Sequence, residues 1–176
     1  MTTPSNPNRS ASTPSGSKRG SSLSDAFTAL LQSKTPEDAT LAIPPPCFVD
    51  MRGEILDVDA EEGRLVVRFP NQPRFRNPVG FMQGGMIASA LDNVFGPLSY
   101  LMGWAALTTR LEVSFLNPVT PDIEAVTARA RVDRSHGAHL FMSGAVNDGE
   151  GETFAVGHAQ FRSTPKARSS SLPNTP

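Results

Sequence analysis

Between residues 84 and 102 the chain reads GGMIASALDNVFGPLSYLM, and this stretch constrains the fold more than any other. Met86, Ile87, Ala90, Leu91, Val94, Phe95, Leu98 and Leu101 recur at spacings of three and four, laying one apolar stripe along about five turns of helix. A stripe that long needs a broad apolar partner. Downstream the period drops to two: ALTTRLEVSFLNPV, IEAVTARARVDRS, AHLFMSGAVND and ETFAVGHAQFR read as strands separated by Pro-Asp, His-Gly and Asp-Gly-Glu-Gly turns. Upstream, RGEILDVDAEEGRLVVRFP alternates on both sides of AEEG and reads as an antiparallel strand pair. Two strands, one long helix and four strands, with no strand–helix alternation, predict an α+β fold: an antiparallel sheet wrapped around one central helix. Gly96-Pro97 falls inside the helix, and proline's clash with the preceding turn predicts a kink or an early end there.

A shorter helix is expected in SDAFTALLQSK, capped by Ser24, with Phe27, Leu30 and Leu31 on one face and a break at IPPPC. Residues 1–24 consist mainly of Ser, Thr, Pro, Asn and Gly, too little apolar surface to offset the entropy of ordering, and read as a disordered tail. Residues 164–176 read the same way, which leaves 25–163 as a single folded domain. The formal net charge is −1 with basic residues scattered, so the one-sided basic face that nucleic acid demands is missing. No apolar run reaches the roughly 18 residues of a membrane span. Cys47 is the single cysteine and the three histidines are scattered, so neither an internal disulfide nor a metal site is expected, and the default compartment is reducing, the cytoplasm. The N-terminal segment lacks acidic residues before Asp25, as transit peptides do, but is too poor in apolar residues for an amphipathic targeting helix.

Chemistry concentrates where the long helix begins. A helix N-terminus offers unpaired N–H groups and a partial positive charge, and the glycine pair Gly84-Gly85 lets a carbonyl approach those groups unobstructed, so this end can hold an oxyanion. A simpler account has the glycines relieving crowding between helix and sheet. Asp92 stands inside the same segment, where a buried, unpartnered carboxylate would cost several kcal/mol. Alternatively it shares an exposed polar face with Ser89, Asn93 and Gly96. Eight residues of helix separate Gly84 from Asp92 by about 12 Å, so one chain cannot present both groups to one carbonyl carbon. If they cooperate, they come from two subunits with antiparallel helices, and a homo-oligomer follows.

NPVGFMQGGMIASALD followed by LTTRLEVSFLNPV resembles the hotdog-fold acyl-CoA thioesterases of the phenylacetate-pathway and 4-hydroxybenzoyl-CoA types. The resemblance spans about residues 48–162 and rests on Asn77, Gly80, Gly84, Gly85 and Asp92, with Phe115, Leu116 and Pro118 closing the following strand. One position departs: Gln83 stands where the family carries histidine, and an amide hydrogen-bonds without carrying a proton near pH 7.

The resemblance implies a hotdog fold and hydrolysis of an acyl- or aryl-CoA thioester, with CoA entering as part of the substrate and no separate cofactor. In its terms the Gly84 N–H, beside Gly85 and Gln83, would polarise the thioester carbonyl, and Asp92 of the opposite subunit would act as general base or as nucleophile. Asn77 would position the water or the carboxylate, and Thr108, with Thr109 as the competing choice, would orient Asp92. Arg134 and His136, in a turn that lies near the CoA phosphates in relatives, would contact those phosphates; an ordinary solvated turn is the alternative. A non-catalytic acyl-CoA-binding protein on the same fold is the rival reading, and Gln83 is its one argument.

Overall fold

The structure is a computed structural model that describes residues 17–34 and 42–163, with side chains described for 23–33 and 42–163. In chain order it contains α1 (Ser17–Lys34), α2 (Pro46–Asp50), β1 (Glu54–Asp59), β2 (Arg64–Pro70), a 3-10 turn (Pro73–Phe75), α3 (Gly84–Leu101), β3 (Ala106–Phe115), β4 (Ala125–His136), β5 (His139–Asn147) and β6 (Thr153–Ser163). The six strands form one sheet in the order β1-β2-β4-β5-β6-β3 with every pairing antiparallel, and α3 lies across its inner face against β2 to β6. This is the expected α+β arrangement of two strands, a central helix and four strands.

The stripe on α3 is consumed by the sheet of its own chain. Ala90, Leu91, Val94, Phe95 and Leu98 are fully enclosed, and burying each of the larger ones is worth about 1.5–3 kcal/mol. Two strand glycines make this close approach possible. A Cβ on Gly144 would stand 2.6 Å from the Arg129 carbonyl oxygen and 2.9 Å from the Phe95 ring, and one on Gly157 would stand 2.8 Å from Leu91 Cδ1. The helix face left open carries Gly85, Ala88, Ser89 and Asp92.

Three local expectations need correction. Of the kink or early end expected at Gly96-Pro97, the early end does not occur: α3 continues to Leu101 with Pro97 inside it. Ser24 is interior to α1, which begins at Ser17, and instead of capping the helix its hydroxyl accepts the Ile55 N–H of β1 at 3.2 Å. The chain from Ser17 to Ser24, expected within a tail, is therefore helical; residues 1–16 and 164–176 lie outside the described residues. IPPPC, expected as a break, lies outside α1 and leads into α2, whose N-terminal Pro46 sits in the first turn, where a missing N–H costs nothing.

The sheet's two edges differ. β1 carries an irregularity between Ile55 and Asp57 and is packed by α1. β3 is a ten-residue edge with no strand on its outer side among the described residues, and its Leu107 and Phe115 are 66% and 53% exposed. Among the described residues no helix is long and apolar enough to cross a membrane.

Candidate active site

Asn77 organises the approach to α3. Its Oδ1 accepts the N–H groups of Val79 and Phe81, both at 3.1 Å, and its carbonyl accepts the Gly80 N–H at 2.9 Å. Gly80 closes this turn at φ +90°, a conformation that excludes most side chains. The Asn77 side-chain oxygen is thus committed to the backbone, leaving its amide NH₂ as the group that can face a ligand.

Gln83 occupies the N-cap position of α3 with extended backbone, and its side chain makes no capping hydrogen bond. Its carbonyl accepts the Met86 and Ile87 N–H groups at 2.8 and 3.2 Å. The Gly84 and Gly85 N–H groups, among the four that a helix cannot satisfy internally, have no acceptor among the described residues. Gly85 is exposed, and a Cβ there would meet nothing within 4 Å. Gly84 differs: a Cβ on it would lie 3.2 Å from the Phe115 ring, at the far end of β3.

Asp92 is exposed, as the polar-face account supposed, and it has a partner. The Thr108 hydroxyl donates to Asp92 Oδ1 at 3.2 Å, whereas Thr109 donates to the Gln160 carbonyl at 3.0 Å. Geometry therefore selects Thr108 over Thr109 as the neighbour of the carboxylate. Asp92 borders a cleft of about 590 Å³ whose lining mixes apolar Met51, Phe75, Met86 and Leu111 with polar Arg74 and Asn93. Gly84 and Gly85 are not among its walls. Within one chain the structure brings Asp92 to Thr108 and leaves the glycine pair elsewhere.

Arg134 and His136 end β4 at the hairpin to β5. Register carries Thr108 to Phe161, Leu140 and Ser135 on successive strands, so this hairpin shares an end of the sheet with Thr108, three strand spacings or about 14 Å away. The Arg134 guanidinium stacks 4.8 Å over the Phe141 ring, and His136 is exposed. Arg162, exposed and paired in register with His139, adds a second cation to this end.

Sequence reasoning missed the α2 wall, where the Cys47 thiol donates to Asn93 Oδ1 at 3.3 Å, and the 3-10 turn that supplies Arg74 and Phe75. Both are too short for a periodic signal; proline at a helix's first position was the available cue for α2. Among the described residues no three His, Cys, Asp or Glu side chains gather as a ligand set.

Comparison with known proteins agrees with this architecture. No family model matches the chain. A bovine protein, acyl-coenzyme A thioesterase THEM4, is 30% identical over 83 residues, 47% of this chain and 33% of that protein, so the match spans a third of the relative's length. The crystal structure of a phenylacetic acid degradation-related protein from Ralstonia eutropha superposes with a TM-score of 0.64 at 28% identity, covering 77% of this chain and 98% of that one. The PaaI protein of the Escherichia coli phenylacetic acid degradation operon superposes with a TM-score of 0.64 at 19% identity over 81% and 95% of the two chains.

Proposed function

We propose that this chain, a hotdog-fold protein of the thioesterase superfamily, is an acyl-CoA thioesterase whose active site is shared between two subunits. One observation carries the reading. Along the inner face of β3, Thr108 at one end holds Asp92 while Phe115 at the other end faces Gly84. Antiparallel pairing of two β3 edges about a two-fold axis near Leu111 lays the Thr108 end of one chain against the Phe115 end of the other. Each Asp92 then meets the glycine pair of its partner, twice per dimer. The unpaired β3 edge with its exposed Leu107 and Phe115 supports such a pairing, because a long, open, partly apolar edge is otherwise a liability.

In this site the Gly84 and Gly85 N–H groups receive the thioester oxygen and hold the charge that develops on it, an effect of about 3–4 kcal/mol per donor in other enzymes. The Asp92 carboxylate takes a proton from water as the water oxygen bonds to the carbonyl carbon. The tetrahedral intermediate then expels the CoA thiolate, which recovers that proton, leaving free acid and CoA. Attack by the carboxylate itself, through an anhydride that water opens, uses the same geometry. Thr108 fixes the carboxylate in either route. In this reading the Gln83 amide and the Asn77 NH₂ hydrogen-bond substrate or water, and Arg134 and His136 meet the CoA phosphates. With Cys47 exposed and unpaired, we place the protein in a reducing compartment, the cytoplasm.

Release of free thiol from a panel of acyl- and aryl-CoAs tests the activity, with Asp92→Asn as control. Turnover by the wild type and its loss in the variant support the reading. Tight binding of an acyl-CoA with no thiol released would make the protein a binding module instead.

A further inference from the structure

We propose that Phe115 is a specificity-determining residue, its ring forming the wall on which the acyl group of the substrate lies while Gly84 and Gly85 hold the carbonyl oxygen. The inference rests on the thioesterase reading above and adds to it which part of the substrate this end of the site selects.

Phe115 ends β3 and is paired in register with Ala155, whose side chain is fully enclosed on the inner face of the sheet. The Phe115 ring is therefore on the α3 side. Three of its atoms, Cζ, Cε1 and Cε2, would lie 3.2, 3.4 and 3.6 Å from a Cβ built on Gly84. The ring thus stands where a side chain on the first residue of α3 would be, facing Gly84 beside the N–H groups that have no acceptor, yet 53% of the residue is exposed. A carbonyl seated on those N–H groups projects two substituents, the acyl carbon and the sulfur. A CoA arm carries amides that need hydrogen-bond partners, which an aromatic ring does not supply. Immediately before Gly84 in the chain stands Gln83, an exposed residue whose side-chain amide makes no capping bond. The two neighbours of the oxyanion donors thus differ in kind: an amide suited to the CoA arm, and an exposed aromatic face suited to the acyl group. Pairing two β3 edges sets this ring between its own Gly84 and the partner's Asp92, where it borders the reacting carbonyl.

The test compares kcat/KM for acetyl-, hexanoyl- and benzoyl-CoA in the wild type, Phe115→Ala and Phe115→Leu, with assembly of each followed by sedimentation. An acyl contact makes the loss grow with acyl size: Phe115→Ala should cost about 10-fold or more on hexanoyl- and benzoyl-CoA and under about 3-fold on acetyl-CoA, whose single methyl hardly reaches the ring. Phe115→Leu, apolar but shorter, should fall between. Equal losses on all three substrates would move the contact to the CoA arm and overturn the proposal, as would no loss on any. Loss of the dimer in both variants would make the residue structural and overturn it equally. Wild-type enzyme that releases thiol from none of the three removes the activity assumed here, a failure visible before any variant is compared.

Discussion

The hydroxyl of Thr108 lies 3.2 Å from Oδ1 of Asp92, joining the edge strand to the one carboxylate on the open face of the central helix. Asp92→Asn keeps the shape and the hydrogen bond but removes the basic lone pair, so kcat should fall by about 100-fold or more with KM little changed. Thr108→Ala should lower kcat by about 10-fold by freeing the carboxylate, whereas Thr109→Ala, which removes a bond to the Gln160 carbonyl, should leave kcat within about 2-fold. Steady-state kinetics on the three variants decides the matter; equal effects at 108 and 109 would deny Thr108 its role.

Substitution of the two helix-start glycines should separate. The methyl of Gly84→Ala points into the Phe115 ring at 3.2 Å, so its damage comes from pushing that ring as well as from crowding the carbonyl. That of Gly85→Ala meets nothing within 4 Å of its own chain. The first should cut kcat by about 10-fold or more and the second should leave thermal stability unchanged, any loss in it being confined to turnover. Gly84→Ala with normal kinetics would show that the ring yields freely and that the carbonyl is held elsewhere.

Gly144 has no catalytic part and should be the more costly place to add a methyl. Its Cβ would come within 2.6 Å of a β4 carbonyl oxygen and 2.9 Å of the Phe95 ring, which is fully buried, so strand or helix must move. Gly144→Ala should lose about 1–3 kcal/mol in denaturant unfolding. An unchanged midpoint would mean that α3 does not lie as close to β5 as described.

These contrasts mark what a sequence can carry. Alternation and helical spacing are repeated signals, and they gave the sheet and α3 because each strand and the stripe of Leu91, Val94 and Leu98 state the same fact many times over. Pro97 does not end α3 because the rule against proline is local, while seventeen other residues of the helix, several packed on the sheet, carry it past. Asp92, Gly84 and Asn77 were legible as candidates because their residue types are unusual at those positions. Their partners were not. That Thr108 rather than Thr109 reaches Asp92 depends on the irregularity between Thr108 and Arg110, which resets which side chains face the helix. The approach of Phe115 to Gly84, 31 residues distant, follows only from the course of β3 beneath α3.

Acid should loosen the β5–β6 turn through Asp148. Its Oδ1 accepts the N–H groups of Glu150, Gly151 and Glu152 at 2.7, 2.8 and 3.0 Å, and these bonds, that from Glu150 foremost, hold its carboxyl below the usual carboxylate range. A value depressed by folding contributes stability that is present above the unfolded carboxylate's range and is lost as pH falls through the folded value. Asp148→Asn should therefore flatten the fall of the unfolding midpoint between about pH 5 and pH 2 relative to wild type. Superimposable pH curves for the two proteins would sink this.

The shared site has the sharpest test in mixed dimers. Asp92→Asn and Gly84→Ala each disable both sites of their own homodimer, because every site takes one group from each chain. In a heterodimer of the two variants, one site receives both lesions and the other receives neither. With free exchange of subunits half of the dimers are mixed and half of their sites intact, so activity should return to about a quarter of wild type. A site contained within one chain gives another result: every chain in the mixture carries one lesion, and no intact site can form. If mass spectrometry confirms the heterodimer while thiol release stays at the level of the separate variants, Asp92 and Gly84 do not meet across the β3 edge.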